Sequence, residues 1–190
     1  MPKSATKVLM VTGHPATGKT TLAKELADLL NLPLIGKDHI KELLLNTLGA
    51  GSDEWSRNLS IATWELLYQQ VETLLRAETS LIVESNFEPA FADEKWQALY
   101  EKHDFELIQI RCETAPEILL TRYVGRIESG ERHEGHVDAS HDPNFLEAIQ
   151  RPMGWVNVAS TKFSFDSTNH DRTKKESLFE HLIKELKTDG

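Results

Sequence analysis

The stretch that most constrains this chain is Gly13-His14-Pro15-Ala16-Thr17-Gly18-Lys19-Thr20. Its spacing is G-x-x-x-x-G-K-[ST], that of a phosphate-binding P-loop. Gly13 and Gly18 permit backbone angles and close approaches that a side chain forbids. The loop N–H groups then converge on anionic oxygens. Lys19 brings a point charge to the outer phosphates, and Thr20 offers a hydroxyl to Mg²⁺, which otherwise keeps mostly water and phosphate oxygens. So short a motif needs its setting. Lys7 to Thr12 reads as a buried strand just before it, and Leu22, Leu26, Leu29 and Leu30 share one face of a helix from Lys19 to Leu30 just after it. Strand, glycine loop and helix is that setting, and the helix N-terminus adds its own attraction for anions.

The chain has 190 residues, enough for one domain with a full core. No internal repeat, low-complexity tract or splitting linker interrupts it, so residues 1–190 read as a single domain. With 21 Lys+Arg against 30 Asp+Glu, the formal charge is -9. That balance argues against nucleic-acid backbone as the main partner. The single cysteine, Cys112, excludes an internal disulfide framework and reads as a core thiol. No apolar run approaches membrane-spanning length and no signal peptide is evident, so the expectation is a cytoplasmic protein without a membrane partner.

Further along, Leu34-Ile35-Gly36 reads as a second strand running into Lys37-Asp38-His39-Ile40-Lys41. Asp38 falls where this strand gives way to a helix over Ile40 to Leu48, and strand carboxyl ends are where open α/β sheets place their ligands. Asp38 also suits a helix cap. A long helix follows from about Asp53 to Ala77, in which Trp55 and Trp64 read as packing residues. The third strand, Ser80 to Val83, ends in Glu84-Ser85-Asn86-Phe87, and Pro89 starts the next helix. A carboxylate just past a strand in a P-loop protein suits the metal's waters or a substrate hydroxyl. The fourth strand, Phe105 to Arg111, has no core acid, so a metal-side acid there would have to be Glu113, and Glu84 is preferred.

Thr114 is placed to cap the next helix, where Arg122 and Arg126 share a face four residues apart. The polar, glycine-containing stretch that follows reads as a lid over about 122–142. His133, His136 and His141 with Asp138 and Asp142 fit no standard zinc spacing, and contacts to substrate or phosphate suit them better. A short helix runs from Pro143 to about Arg151. The fifth strand spans Thr161 to Asp166, the loop Ser167-Thr168-Asn169 follows, and the last helix covers about Lys175 to Leu186.

Five strands alternating with helices give an α/β, three-layer P-loop NTPase fold, a parallel sheet covered on both faces. On the P-loop, Lys37-Asp38 through Lys41, the Glu84 segment and Arg122-Tyr-Val-Gly-Arg126, the chain resembles P-loop kinases of the nucleoside-monophosphate-kinase-like group. Within it the chain looks most like the branch of small "predicted kinase" or AAA-family ATP-binding proteins. Relatives include polynucleotide 5′-hydroxyl kinase, chloramphenicol phosphotransferase, shikimate and gluconate kinases and zeta toxins. The resemblance covers nearly the whole chain and implies a strand order of 2-3-1-4-5.

It also implies roles. Gly13, His14, Pro15, Ala16, Thr17, Gly18, Lys19, Thr20 and Thr21 would bind ATP and Mg²⁺, with Thr20 and Glu84 at the metal. Asp38 would take the proton from an acceptor hydroxyl, with Glu84 the other candidate base. Lys41, Asn86, Arg132 and His133 would face substrate. Arg122 would stack on adenine, Arg126 would reach the phosphates, and Ser167 and Thr168 would border the adenine. Two departures stand out: Glu replaces Asp at 84 and Lys replaces Arg at 41. No arginine closely follows Glu84, where nucleotide kinases clamp an acceptor phosphate, which favours a neutral hydroxyl acceptor. The expected activity is transfer of the γ-phosphate of ATP to a small-molecule hydroxyl, with Asp38, Lys19 and Arg126 catalytic. The alternatives are a regulatory ATP-binding or ATPase module, a 5′-hydroxyl nucleic-acid kinase, and a toxin-like sugar-nucleotide kinase.

Overall fold

Strands flanked by amphipathic helices bury their apolar faces by stacking into layers, and this chain does so around one five-stranded sheet. The computed structural model describes residues 5–130, 133, 136, 140–169 and 171–187. In chain order the elements are β1 (Lys7–Thr12), α1 (Lys19–Leu30), β2 (Leu34–Gly36), α2 (Lys37–Leu48), α3 (Asp53–Arg76), β3 (Leu81–Glu84) and α4 (Pro89–Lys102). They continue with β4 (Glu106–Glu113), α5 (Pro116–Glu128), α6 (Pro143–Ala148), β5 (Ser160–Asp166) and α7 (Arg172–Lys187). The sheet order is β2-β3-β1-β4-β5, and each adjacent pair is parallel. No described helix is long and apolar enough to cross a membrane.

β1 is central, and all six of its residues are buried, as expected for a strand covered on both faces. Its side chains alternate between two cores. Val8 and Met10 pack with Leu67 and Val71 of α3 and Trp96 of α4. Leu9 and Val11 pack with Leu22 and Leu26 of α1 and Leu178 and Leu182 of α7. The strand order reverses at β1, since β3 lies on one side and β4 on the other. Such a reversal opens a crevice at the strand carboxyl ends, where the loop after β1 lies.

Several element ends differ from the sequence expectation. α2 begins at Lys37, directly from β2 with Gly36 as its N-cap, so Asp38 sits in the first turn and does not cap the helix. Thr114 does not cap α5 either. That helix starts after Ala115 without a side-chain cap, and the Thr114 hydroxyl instead meets Ser167 Oγ at 2.7 Å. α6 stops at Ala148, short of Arg151. α7 begins at Arg172, because Asp171 Oδ1 accepts from the Thr173 and Lys174 N–H groups. Its apolar periodicity starts only at Leu178, so periodicity alone places the start too late.

The P-loop is fixed by a close approach of two backbones. Gly13 has φ 146°, and a Cβ there would lie 2.5 Å from the Cys112 carbonyl oxygen of β4 and 2.8 Å from Thr17 Oγ1. Thr17 Oγ1 donates to the His14 carbonyl at 2.8 Å, and Ser167 Oγ donates to the Thr17 carbonyl at 2.8 Å. The loop is thus tied to the sheet through β4 and through the segment after β5. G13A is expected to lower stability by roughly 1–3 kcal/mol from overpacking and to abolish nucleotide binding. Urea unfolding and an ATP titration check this, and a variant matching wild type in both would contradict the packing account.

Candidate active site

α1 begins at the P-loop with Gly18 as its N-cap, in the left-handed region at φ 80°. No side chain caps it and its first turn carries no acid. Its first-turn N–H groups are therefore left to an anion. Ala16 also has a left-handed φ, 67°, a strain of the kind that collects at ligand-binding loops. A groove of about 660 Å³ runs beside this turn, lined by Gly18, Lys19, Thr20 and Thr21 on one side and Arg122 and Arg126 of α5 on the other. Arg122 donates to the Ser167 and Thr168 carbonyls at 3.0 and 2.9 Å and to Ser167 Oγ at 3.2 Å. It is thereby braced at the groove's edge against the loop after β5. Arg126, one turn on, is exposed and has no acidic partner among the described residues.

Within the P-loop, His14 turns away from this groove. Its ring lies in a separate cavity of about 320 Å³ with Cys112 and Ile149, and its Nε2 is 3.0 Å from the Arg151 carbonyl. Burial, the largest influence, pulls its pKa down, so Nε2–H of a neutral ring is the donor. Thr17 is buried. Pro15 lines a further cavity on the other side of Lys19.

That further cavity measures about 680 Å³ and brings together Lys19, Asp38, Lys41, Glu84, Asn86 and Arg126. Glu84 ends β3, held opposite Val11 by the β1–β3 register. Its carboxylate is buried, with Lys19 Nζ 3.7 Å from Oε1. Burial pushes its pKa up, Lys19 opposes that, Asp38 adds to it, and a hydrogen bond from Thr20 lowers it again. Asp38 is half-exposed, with Lys37 Nζ 3.7 Å from Oδ1. Lys41 is buried and donates to Ser56 Oγ of α3 at 2.9 Å. Asn86 Oδ1 accepts from Ser85 Oγ at 3.2 Å.

His133 Nε2 lies 3.2 Å from Asn46 Oδ1, and His136 Nε2 lies 3.3 Å from Glu42 Oε1, so both residues reach across to α2. No group of three or more metal-ligating side chains forms among the described residues. Arg132 and Asp138 lie outside the described residues. Glu113 pairs with Arg111 at 2.7 Å and lines the His14 cavity, away from the P-loop lysine's cavity.

Sequence reasoning missed Lys24, Lys37, Glu42, Ser56 and Arg57, all of which line the larger cavity, as His136 of the polar stretch also does. Lys37 sits 5.3 Å from the Trp64 ring, and burial pulls its pKa down. Ser56, Arg57 and Ser60 are polar positions near the start of the continuous helix α3, and all three line the cavity.

Residues 8–152 match the family described as an AAA domain. The chain belongs to that family. The AAA-domain chain is 34% identical to a "putative kinase" from Chloroflexus aurantiacus, with a TM-score of 0.87 and coverage of 96% of this chain and 98% of that one. It shares its fold with the APS kinase of Mycobacterium tuberculosis in complex with AMPPNP and APS, at a TM-score of 0.56, 16% identity and coverage of 97% and 98%. It also shares it with a sugar kinase from Janibacter sp., at a TM-score of 0.53, 15% identity and coverage of 95% and 93%. Comparison with curated proteins finds no match. The architecture is that of the nucleoside-monophosphate-kinase-like P-loop group, as the sequence resemblance implies.

Because burial raises the Glu84 pKa above 4.5, the folded AAA-domain chain holds that proton more tightly than the unfolded chain. Its contribution to stability is therefore full below about pH 4.5 and lost as pH rises through the folded value. E84Q removes this titration. In ligand-free melting scans, wild type is expected to lose stability relative to E84Q as pH rises from about 4.5 towards neutrality. Parallel profiles would contradict the assignment.

Proposed function

We propose that this AAA-domain chain is an ATP-dependent kinase that transfers the γ-phosphate of ATP to a hydroxyl of a small molecule. The observation that carries this reading is that the phosphate groove and the larger cavity meet: Lys19, Thr20, Lys24 and Arg126 line both. A donor phosphate in the groove would have its outer end beside a second chamber whose described lining includes the carboxylates of Asp38, Glu42 and Glu84. A module that only binds or hydrolyses ATP has no need of that chamber. The description of the Chloroflexus aurantiacus relative as a kinase supports the same reading.

In the proposed reaction Asp38 takes the proton of the acceptor hydroxyl. The acceptor oxygen forms a bond to the γ-phosphorus as the bond from that phosphorus to the β,γ-bridging oxygen breaks. ADP leaves with the electron pair, and the proton passes from Asp38 to solvent. Lys19 and Arg126 face the oxygens on which charge spreads. Asp38 is the preferred base because it is the more open carboxylate, whereas Glu84 is engaged with Lys19 and Thr20.

The Thr20 hydroxyl and the Glu84 carboxylate line the same cavity and offer hard oxygens of the kind that fits Mg²⁺. When bound there, the metal would neutralise phosphate charge. Arg122, Ser167 and Thr168 would border the adenine. The segment 122–142 would act as a lid, consistent with the reach of His133 and His136 to α2. Such an enzyme would work in the cytoplasm, where ATP is made and used.

ADP release from Mg-ATP, measured with and without a panel of hydroxyl compounds, tests the reading. The panel spans sugars, nucleosides, hydroxy acids and 5′-hydroxyl oligonucleotides. Stimulation by one class is expected, and D38N should cut the stimulated rate by roughly 10²–10⁴-fold with ATP affinity kept. Unchanged turnover in D38N would refute the base assignment. Slow hydrolysis indifferent to every compound would favour the regulatory module.

A further inference from the structure

Lys37 carries its charge where the fold gains little from it. It is the first residue of α2, with Gly36 as N-cap, and a helix N-terminus disfavours positive charge. Its side chain is only 13% exposed, and burial is the largest influence on its pKa, pulling it down. Asp38 Oδ1 stands 3.7 Å from Nζ, beyond hydrogen-bond length. An ion pair that served stability alone would close that gap, since only close partners offset the desolvation of a buried charge. An aromatic ring holds the ammonium instead. Nζ lies 5.3 Å from the centre of the Trp64 ring. That ring stacks on Tyr68 and meets the fully buried Phe87, so the platform is firm.

The backbone brings this lysine to the reacting groups. Gly36 pairs with Glu84 in the β2–β3 register, and a Cβ on Gly36 would lie 3.6 Å from Glu84 Oε2. The other oxygen of that carboxylate, Oε1, faces Lys19 Nζ at 3.7 Å. Glu84 therefore spans from the P-loop lysine to the residue just before Lys37. Lys19, Lys37, Asp38 and Glu84 all line the larger cavity. The gap between Lys37 and Asp38 suits a single guest atom. An oxygen about 2.7–2.9 Å from each group closes a triangle whose third side is the 3.7 Å separation. A hydroxyl has both capacities the gap asks for, since it donates one O–H and accepts on its lone pairs.

We propose that Lys37 is a further catalytic residue, which holds the acceptor hydroxyl jointly with Asp38: the hydroxyl donates to Asp38 Oδ1 and accepts from Lys37 Nζ. This rests on the kinase reading above and gives a role to a side chain that sequence reasoning missed. The hydroxyl proton passes to Asp38 as its oxygen bonds to the γ-phosphorus, and ADP leaves with the electron pair of the broken bond. Negative charge builds on the attacking oxygen before that bond is complete, and the ammonium faces it. Lys37 keeps its own protons throughout.

The test compares wild type, K37M, K37R, D38N and the K37M/D38N double variant. Transfer to the compound that stimulates ADP release is measured over a range of ATP concentrations, beside acceptor-free hydrolysis and ligand-free melting scans. K37M is expected to cut kcat roughly 10–100-fold, the effect of one charge-assisted hydrogen bond, with the KM for ATP kept. K37R, which keeps the charge and the donors, is expected to restore most of the loss. Two groups that act on one oxygen are not additive, so K37M should slow D38N less than it slows wild type. K37M should melt at or above the wild-type temperature, because a thioether packs on Trp64 without the cost of a buried charge.

A K37M rate matching wild type, or equal slowing of wild type and D38N, would overturn the shared hydroxyl and leave the kinase standing. So would a K37M protein that melts lower, binds ATP more weakly and is not rescued as K37R, since Lys37 would then serve the fold. Transfer to no compound at all would overturn the kinase, and acceptor-free hydrolysis would then decide on Lys37. Hydrolysis unchanged in K37M would overturn its role, whereas slowed hydrolysis would keep it as a contact to the attacking water.

Discussion

The structure depends on one buried ion pair. Lys19, at the start of α1, and Glu84, at the end of β3, face each other at 3.7 Å where the carboxyl ends of the central strands open. Removing two charges from water costs several kcal/mol per ion, and mutual attraction repays it only partly. Such a pair is weak evidence for stability. It is better understood as two groups held ready for a ligand that brings negative charge to the lysine and a cation to the carboxylate. Burial still pushes the Glu84 pKa up despite the lysine, so the ligand-free site is electrostatically unrelieved.

The rest of the fold holds that pair in place. β1 delivers the P-loop and β3 delivers Glu84, and the register of Val11 opposite Glu84 sets their height. Gly13 lets the loop pass against the β4 carbonyl of Cys112. Ser167 joins three parts, since its hydroxyl touches the Thr17 carbonyl, the Thr114 hydroxyl and the Arg122 guanidinium. The loop after β5 therefore connects the phosphate cradle to the helix that carries Arg126. That coupling gives the P-loop groove and α5 a common support. The larger cavity draws much of its wall from different elements, α2 and α3.

Much of this was legible in the sequence, for physical reasons. The P-loop spacing and the apolar run Val8 to Val11 fix a buried strand and its turn, and the resemblance to P-loop kinases implied the strand order that the sheet shows. Glu84 and Asp38 were found because one ends a strand and the other lies just past the end of one. What stayed hidden depends on contacts between elements distant in sequence. The start of α2 at Lys37 is set by the short β2 and the glycine at its end, a junction that periodicity does not report. Arg57 lies on a helix whose apolar stripe dominates the pattern, and nothing local says that it lines the same cavity as Lys41. His14 belongs to the motif, yet it packs against the Arg151 carbonyl rather than facing a phosphate.

The central claim is that the terminal phosphate of ATP leaves the groove for an organic hydroxyl in the adjoining chamber. The most direct measurement follows the label of γ-labelled ATP in single-turnover reactions with the acceptor panel, separating organic phosphate from inorganic phosphate. The account predicts that label appears in an organic phosphate ester, at a rate that inorganic phosphate release does not match. Label found only as inorganic phosphate with every compound, from protein that binds ATP, would contradict it.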